Sequence, residues 1–527
     1  MRYLLHDVFL KSAHNHPERI AIYQEGYGEV KYQQLLTLAN QYAHFFESRK
    51  TSVREQPFVG VLSPVHHQSI AAILGTLFIG ATYVPLDEYS PDDRLSLILD
   101  NTQLDTLIID SHWLTQHAAL LNHPCLKTVI VLDENYPADN ERVFSLQAIN
   151  ASSSADIPLQ NQVCDDLAYI LHSSGSTGVP KGIMLSHRNA RTFVDWMQSE
   201  FKLTPDDVVM SRAPFKFDLS VFDIFNTFTA GAKLICFDWN AQRETEQKHS
   251  DYVKLMASQQ ATIIYTTPST FIVMMNRGGL ASTKTSLREV MYAGEPFPIP
   301  QLLKLKEALP NTRIANIYGP TETNIITYWW VDDLKIEDAD IPLGYVVEDT
   351  AIMVVSEDGS HVCEPDELGE LWCRGGTVTL GYLGMDEKTK SCLVTSPFHK
   401  YPAYYWRTGD FGFIDQNGLL HYRGRKDHMV KVKGFRIEIG EIESALAKHA
   451  ALDEFCVVAL PDEKYGNRLY CYYSLLSGQQ LSPDELQAFL TTKLPEYMIP
   501  YQFINKASLP KTSSGKVDRV LLAEESR

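Results

Sequence analysis

Residues 169–182 read Y-I-L-H-S-S-G-S-T-G-V-P-K-G, an apolar segment that runs into a loop of small residues and one lysine. Backbone N–H groups in such a loop can point at an anion, and hydroxyl side chains add further donors. The loop does not match the Walker pattern, because its lysine is followed by glycine. Phosphate binding is one interpretation and a flexible linker is the other. The candidate phosphate ligands are Ser173, Ser174, Gly175, Ser176, Thr177, Gly178 and Lys181.

Other residues suited to chemistry are scattered along the chain. Asp218 stands in F-D-L-S-V-F-D, Asp410 in R-T-G-D and Lys516 in G-K-V-D-R. Taken alone, Asp410 has the pattern of a turn residue, Lys516 that of a surface lysine and Tyr318 that of a core aromatic. Neither C-x-x-C nor H-E-x-x-H occurs, so the eight cysteines predict reduced thiols of a cytoplasmic protein.

Short β-branched runs, most of them continuously apolar, alternate with helical stretches. Such strands are typical of sheets buried on both faces, so we predict a large layered α/β domain with mostly parallel sheets. The predicted strands are 58–62, 106–110, 128–132, 167–171, 233–237, 262–265, 289–293 and 313–318. The apolar stretch from Ser69 to Leu86 contains glycines, threonines and a proline, and favours a buried helix and strand over a membrane span.

The region after residue 426 predicts a small α+β domain. A helix is expected at 440–449, strands at 454–460 and 469–476, and a second helix after Ser482, where Glu485 completes a capping box. The whole chain has 527 residues and a net charge of −18. This balance argues against a non-specific nucleic-acid binder, and the N-terminus lacks a signal-peptide pattern.

Motifs spread over the chain resemble those of the adenylate-forming enzymes, which include acyl-CoA synthetases, luciferases and adenylation domains of nonribosomal peptide synthetases. In order they are the loop above, preceded by A-T-Y-V-P-L-D (81–87), then F-D-L-S-V-F-D (217–223), Y-G-P-T-E-T (318–323), G-E-L-W-C-R-G (369–375), G-Y (381–382), Y-W-R-T-G-D (405–410), Y-R-G-R-K-D (422–427), V-K-G-F-R-I-E-I-G-E-I-E (432–443) and L-P-K-T-S-S-G-K-V-D-R (509–519).

The resemblance implies ATP and Mg²⁺ as cofactors and a domain division into 1–426, with a small β-barrel-like part, and a mobile 427–527. Lys516 would bridge the substrate carboxylate and the α-phosphate. Thr321 would contact the α-phosphate, and Glu322 would help to hold Mg²⁺. The 173–181 loop would hold the leaving pyrophosphate. The nucleoside would contact Asn316, Tyr318, Gly319, Asp410 and Arg425.

The same resemblance points to an amino acid as the acid that is activated. In amino-acid-activating members an aspartate at the position of Asp218 pairs with the α-ammonium group. The uncharged lining predicts a small or medium apolar side chain, with L-proline as our choice, D-alanine as its rival and an acyl- or aryl-CoA ligase as the other enzymatic alternative. The expected substrate-binding residues are Phe217, Asp218, Leu219, Phe222, Tyr265, Met291, Ala293, Gly294, Ile317, Ile325 and Ile326.

The second half-reaction implies a thiol acceptor. Asp427 matches the family's hinge, and Lys433 and Gly434 would line the thiol tunnel. Eleven residues follow Lys516, so we expect the phosphopantetheine thiol on a separate carrier protein that docks on basic residues such as Lys431, Lys433 and Arg436. A degenerate relative that only binds nucleotide or carrier is the non-enzymatic alternative.

Overall fold

The computed structural model describes residues 3–49, 56–137, 140–158, 160–175, 179–237, 246–332, 334–335, 340–425, 429–432, 434–462, 466–511 and 517–525. Its strands, numbered along the chain, are β1 Ile20–Gln24, β2 Gly28–Lys31, β3 Phe58–Leu62, β4 Thr82–Pro85, β5 Thr106–Ile109, β6 Thr128–Val131, β7 Val143–Ser145, β8 Leu167–Ser173, β9 Lys181–Ser186, β10 Val208–Met210, β11 Lys233–Cys236, β12 Ile263–Thr266, β13 Glu289–Tyr292, β14 Arg313–Tyr318, β15 Thr327–Trp330, β16 Tyr345–Val346, β17 Thr350–Val355, β18 Gly369–Gly375, β19 Gly381–Tyr382, β20 Leu393–Thr395, β21 Tyr404–Ile414, β22 Leu420–Arg425, β23 Met429–Val432, β24 Phe435–Glu438, β25 Leu452–Asp462, β26 Gly466–Leu475 and β27 Gln502–Asn505.

The α-helices, numbered in the same way, are α1 Asp7–Asn15, α2 Tyr32–Ser48, α3 His67–Phe78, α4 Asp92–Thr102, α5 Ser111–Gln116, α6 Leu146–Asn150, α7 His187–Phe201, α8 Leu219–Val221, α9 Thr227–Ala230, α10 Glu246–Ser258, α11 Pro268–Asn276, α12 Ile299–Ala308, α13 Asp386–Cys392, α14 Ile439–Leu446, α15 Pro483–Thr491 and α16 Arg519–Glu525. A π-helical turn, Phe222–Asn226, joins α8 to α9. Short 3₁₀ turns lie at Ala118–Asn122, Leu280–Ser282 and Glu496–Met498.

Two large sheets form the layers of the first part of the chain. Their strand orders are β19-β9-β8-β4-β3-β5-β6-β7 and β16-β15-β14-β13-β12-β10-β11-β1-β2. The central pairs from β8 to β7 and from β14 to β1 are parallel, as the continuous apolar runs predicted, whereas β9 and β15 pair antiparallel with their neighbours. Val59 of β3 and Ile263 of β12 belong to one apolar cluster with α2, α3 and α7, so one face of each sheet shares a core. The layered α/β prediction is confirmed.

A third, antiparallel sheet corresponds to the part predicted as barrel-like. Its order is β17-β18-β21-β20, and β22 also pairs with β21. Over the described residues its outer strands β17 and β20 do not pair with each other, so this sheet is open. Asp410 lies on β21 and Arg425 on β22, in register with one another.

The residues from β23 onward build a small α+β unit with its own core. The strands β25, β26 and β27 form one sheet, and α14 and α15 contribute apolar residues to the core beside it. Helix α15 begins as predicted, because Ser482 Oγ accepts the N–H of Glu485. The predicted boundary at residues 426 and 427 lies outside the described residues.

Two further sequence predictions have structural outcomes. The stretch Ser69–Leu86 forms most of the buried helix α3 followed by β4, as expected. Among the residues described, no helix is both long and apolar enough to cross a membrane. All eight cysteines are free thiols.

Candidate active site

The site lies where several strands end. The carboxyl ends of β12, β13 and β14 lead into Thr267, Ala293 and Gly319, and these three residues line one cavity. Ligands of open α/β sheets bind at such strand ends. The cavity measures about 120 Å³, well below the several hundred Å³ typical of ligand sites. Residues of the small unit, among them Lys431 and Arg436, reach into it.

The glycine-rich loop is built by the hairpin of β8 and β9. Ser173 pairs with Lys181 across the hairpin, which places the lysine beside the start of the loop. A Cβ atom at Gly175 would overlap the carbonyl oxygen of Val179, so only glycine fits this turn. Ser174 and Lys181 are buried. Ser176, Thr177 and Gly178 lie outside the described residues.

Of the nucleoside residues predicted from the motifs, Gly319, Asp410 and Arg425 line the cavity, and Tyr318 contacts Asp410. Tyr318 donates its hydroxyl hydrogen to Asp410 Oδ2 at 2.6 Å, and Arg425 Nη1 donates to Asp410 Oδ1 at 2.9 Å. Asn316 donates its side-chain amide to the carbonyl of Pro342. Gly319 is packed against Asn324, where a Cβ atom would overlap the backbone. The carboxylate of Asp410 is therefore held ready for hydroxyl donors.

Glu322 is a buried, ionised carboxylate. Tyr382 donates its hydroxyl hydrogen to Glu322 Oε1 at 2.7 Å, and Arg436 Nη1 donates to Oε2 at 2.5 Å. Burial acts to raise its pKa, but the Arg436 charge and the Tyr382 hydroxyl lower the pKa of Glu322 to about 2. Such an anion is a suitable oxygen ligand for a divalent cation.

Asp218 is the acidic group of the substrate pocket. It follows β10 and precedes α8, and only 9% of it is exposed. Burial raises the pKa of Asp218 to about 6, while the Lys431 charge and the Thr321 hydroxyl oppose that shift. Asp218 is thus close enough to Thr321 to join the two motifs in one site.

The apolar residues predicted around Asp218 occupy different positions relative to the cavity. Those that line the cavity are Phe217, Leu219, Tyr265, Ala293 and Gly294. Those buried in the apolar cluster behind them are Phe222, Met291, Ile317 and Ile325. Ile326 belongs to another cluster, which contains Tyr318.

A hairpin of the small unit, β23 and β24, closes the site. Gly434 lies against Thr267 with φ of +83°, and Phe435 packs on Phe217 with ring centroids 5.0 Å apart. Lys431 lines the cavity and burial lowers its pKa. Lys431 and Arg436 face the cavity in this structure, so the prediction that they present a carrier-docking surface is wrong for this conformation.

Three further predicted residues cannot be placed. Asp427, Lys433 and Lys516 lie outside the described residues. The described neighbours of Lys516, Lys511 and Val517, form an isolated bridge with each other. Lys511 also forms an ion pair with Glu454 of β25.

Several residues of the site stand in the recognised motifs, although no role was predicted for them. Asp87 ends A-T-Y-V-P-L-D, and its carboxylate contacts Lys216 and accepts the Tyr497 hydroxyl at 3.0 Å. Tyr382 ends G-Y and holds Glu322. Glu438 and Glu441 belong to the 432–443 motif and contact the loop. The motifs signalled these positions, but no partner was assigned to them.

Comparisons with known proteins agree with this geometry. A model of the AMP-binding enzyme family matches residues 9–383, and the model of that family's C-terminal domain matches residues 441–516. The chain belongs to the AMP-binding enzyme family. This AMP-binding enzyme is 32% identical to an L-proline–[L-prolyl-carrier protein] ligase of Pseudomonas fluorescens, over 99% of each chain.

Other relatives are much longer. The AMP-binding enzyme is 31% identical to bacitracin synthase 3 of Bacillus licheniformis over 99% of its own length, and it spans only 8% of that synthase. Among solved structures, the amide bond synthetase McbA of Marinactinospora thermotolerans superposes with a TM-score of 0.87 and covers 99% of each chain. At 20% identity that likeness shows a common fold.

Proposed function

We propose that the protein is an AMP-forming acid–thiol ligase that activates a small apolar amino acid, best L-proline, and loads it onto the phosphopantetheine thiol of a carrier protein. The observation that carries this proposal is Asp218, a buried carboxylate with apolar walls, close to Thr321 and Glu322. A carboxylate in such a place needs a cationic partner. The α-ammonium group of an amino acid supplies one.

The first half-reaction would join the substrate carboxylate to AMP. A carboxylate oxygen attacks the α-phosphorus, the bond to the β-phosphate breaks, and pyrophosphate leaves. Two anions must meet, so fixed donors and positive charge lower the barrier. We assign these roles to Lys516, Thr321, Lys181 and the loop, while Asp218 orients the ammonium group.

The nucleoside would be held at the other end of the cavity. The two oxygens of Asp410 can each accept one ribose hydroxyl, once the Tyr318 hydroxyl gives way. Arg425 holds the Asp410 carboxylate in a fixed orientation. Tyr318 would stack on the adenine, and Asn316 and Gly319 would flank it.

Glu322 fits a role in holding Mg²⁺, since it is buried and ionised and its side-chain partners among the described residues are Arg436 and the Tyr382 hydroxyl. A bound Mg²⁺ would neutralise charge on the phosphates. Tyr382 would keep the carboxylate oriented in either case.

The second half-reaction would pass the acyl group to a thiol. The thiolate attacks the acyl carbon, and AMP leaves as its bond to that carbon breaks. The β23–β24 hairpin, with Gly434, borders the cavity where the thiol would arrive. The carrier would meet other surfaces of the small unit than Lys431 and Arg436, which are occupied inside the cavity.

The choice of L-proline rests on the uncharged lining and on the relative that is a prolyl ligase. ATP–pyrophosphate exchange tests it, with purified protein and all amino acids, both alanine enantiomers, benzoate and fatty acids. We expect L-proline to give the dominant signal. A dominant D-alanine signal would support amino acid adenylation but would make D-alanine, rather than L-proline, the substrate.

Exchange with aryl or fatty acids alone would overturn the amino-acid assignment. The acceptor is tested separately, by the mass gain of a phosphopantetheinylated carrier protein against that of free coenzyme A. Preferred loading of coenzyme A would overturn the carrier assignment.

A further inference from the structure

The segment Arg436–Glu441 of the small unit lies directly on the glycine-rich loop. Ser174 Oγ donates to the carbonyl of Arg436 at 3.0 Å and accepts the N–H of Glu438 at 2.9 Å. The carboxylate of Glu438 forms an ion pair with Lys181. Ser174 and Lys181, two of the donors that the sequence assigns to pyrophosphate, are therefore occupied by groups of the protein itself.

Glu441 joins the loop to Arg94, a residue for which the motifs predicted no role. Its Oε2 accepts the N–H of Gly175 at 3.0 Å, and its Oε1 is paired with Arg94 of α4. Arg94 is 7% exposed and Glu441 is 1% exposed. One carboxylate thus bridges a buried guanidinium and a loop N–H, as two oxygens of one phosphate group can do.

Unsatisfied polar atoms mark the same place. Ser173 Oγ in the loop and Ser90 Oγ, which lines the cavity with Arg94, are buried without a hydrogen-bond partner among the described residues. Buried hydroxyls normally have a partner. An oxyanion larger than a carboxylate would supply acceptors for them.

We propose that Arg94 is a pyrophosphate-binding residue and that Glu438 and Glu441 occupy the pyrophosphate site in the conformation described here. When the small unit moves away, Arg94 loses Glu441 and remains a buried cation, which needs another anion. Pyrophosphate and the docked segment therefore exclude each other. This inference rests on the assignment of the 173–181 loop to pyrophosphate in the proposed function.

The rival explanation is that Arg94 only docks the small unit. The two explanations predict different changes in pyrophosphate affinity when Arg94 is replaced. If Arg94 only docks the small unit, it stabilises the segment Arg436–Glu441 in the pyrophosphate site. Replacing Arg94 would then leave pyrophosphate binding unchanged or make it tighter. A ligand of pyrophosphate would weaken binding when it is lost, even though docking is loosened as well.

The test is calorimetric titration of the full-length protein with magnesium pyrophosphate, without ATP, amino acid or carrier. We compare Arg94→Gln, Arg94→Lys and Glu441→Gln with the wild type. The control is Lys493→Gln, which breaks the exposed interdomain pair of Lys493 with Asp93, 2.7 Å long, and touches no loop donor. Thermal melting checks that each variant is folded.

We expect Arg94→Gln to weaken pyrophosphate binding by about tenfold or more, with Arg94→Lys in between. Glu441→Gln should tighten binding several-fold, and Lys493→Gln should leave it unchanged or slightly tighter. If Arg94→Gln does not fold, Arg94→Lys decides the ligand role of Arg94, and Glu441→Gln still decides the competition.

Unchanged or tighter binding in Arg94→Gln would overturn the ligand role of Arg94. Unchanged or weaker binding in Glu441→Gln would overturn the competition, and so would a wild type that does not bind pyrophosphate. Because no amino acid is present, these results are independent of the exchange assay. Exchange with L-proline but a failed pyrophosphate titration would reject this inference alone. The expected titration results without exchange on L-proline would reject the proposed substrate alone.

Discussion

At the scale of single residues, two buried carboxylates of the site differ in pKa. Glu322 and Asp218 are both buried, yet the pKa of Glu322 is lowered to about 2 and that of Asp218 is raised to about 6. Glu322 has an arginine within hydrogen-bond distance, whereas Asp218 has a more distant lysine charge, the N–H of Leu219 and the Thr321 hydroxyl. Asp218 therefore lacks a full counter-charge until a substrate ammonium group arrives.

The first prediction follows from that missing charge. Asp218→Asn should lower kcat/KM for the amino acid by about 10- to 100-fold, because a charge-assisted hydrogen bond is lost. In the wild type, kcat/KM in pyrophosphate exchange should fall as the pH drops below about 6, since Asp218 becomes protonated. A profile that stays flat to pH 5 would contradict the role.

Asp223→Asn is the matched control for this experiment. Asp223 is also a buried acid of F-D-L-S-V-F-D, but it does not line the cavity. This variant should keep the wild-type preference for the amino acid. Loss of activity in both variants would show damage to the helix rather than loss of a binding group.

Sequence reasoning predicted those site residues that stand in motifs with a recognised chemical role. Asp218, Asp410 and Glu322 were predicted in this way; Asp218 and Asp410 line one cavity, and Glu322 accepts a hydrogen bond from Arg436, which also lines it. The contact of Arg94 with Glu441 joins residues 347 positions apart. It depends on how the small unit sits, which no local pattern encodes.

At the scale of elements, the helical segment that follows Asp218 contains an irregular turn. The π-helical residues Phe222–Asn226 place Asp223 in a fully buried position. Its Oδ2 lies within hydrogen-bond distance of Ser211 Oγ and of the N–H groups of Arg212 and Ala213, while Oδ1 has no partner among described residues. Burial raises the pKa of Asp223 to about 7.

The second prediction concerns the stability of this turn. Because the folded-state pKa is raised, the contribution of Asp223 is largest below about pH 4 and is lost as the pH rises to about 7, on the order of 1 kcal/mol per pH unit. Asp223→Asn stays neutral, so its Tm should exceed that of the wild type at pH 8. The difference should vanish towards pH 4, and a constant difference would contradict the assignment.

The hairpin of β23 and β24 gives the third prediction. Gly434→Ala would place a Cβ atom 2.9 Å from Thr267 Cγ2 at a φ of +83°. We expect thiol loading to slow by about tenfold or more while pyrophosphate exchange is kept, since the strain of about 1–2 kcal/mol opposes closure of the hairpin. Single-turnover transfer from preformed adenylate measures this.

Gly478→Ala supplies the control for backbone strain. Gly478 has a φ of +80°, and a Cβ atom there meets nothing within 4 Å. It should lower stability to a similar degree and leave both half-reactions intact. If Gly434→Ala and Gly478→Ala slowed transfer equally, the contact with Thr267 would not be the cause.

At the scale of the whole molecule, the two parts of the chain meet through charges. Glu322 with Arg436, Lys181 with Glu438 and Arg94 with Glu441 all join the large part to the small one. Such pairs are costly to break when one partner stays buried alone. A reorientation of the small unit therefore requires ligands that take over these partners.

The fourth prediction tests the hinge proposed at Asp427. Asp427→Pro fixes φ near −65° and should impair transfer to the thiol more than pyrophosphate exchange, because the two stages need different orientations of the small unit. Asp427→Ala removes the carboxylate without fixing φ and should retain more of the transfer. Equal losses in both half-reactions would contradict the hinge.

The small size of the cavity has a practical consequence for inhibitor discovery. Compounds screened against the nucleotide-free protein would meet a space of only about 120 Å³, in which Arg425 and Arg436 are already paired with carboxylates. Fragments would fit there, whereas analogues of the complete aminoacyl adenylate would first have to expel the hairpin. Screens run with pyrophosphate present should therefore recover larger chemical scaffolds than screens run without it.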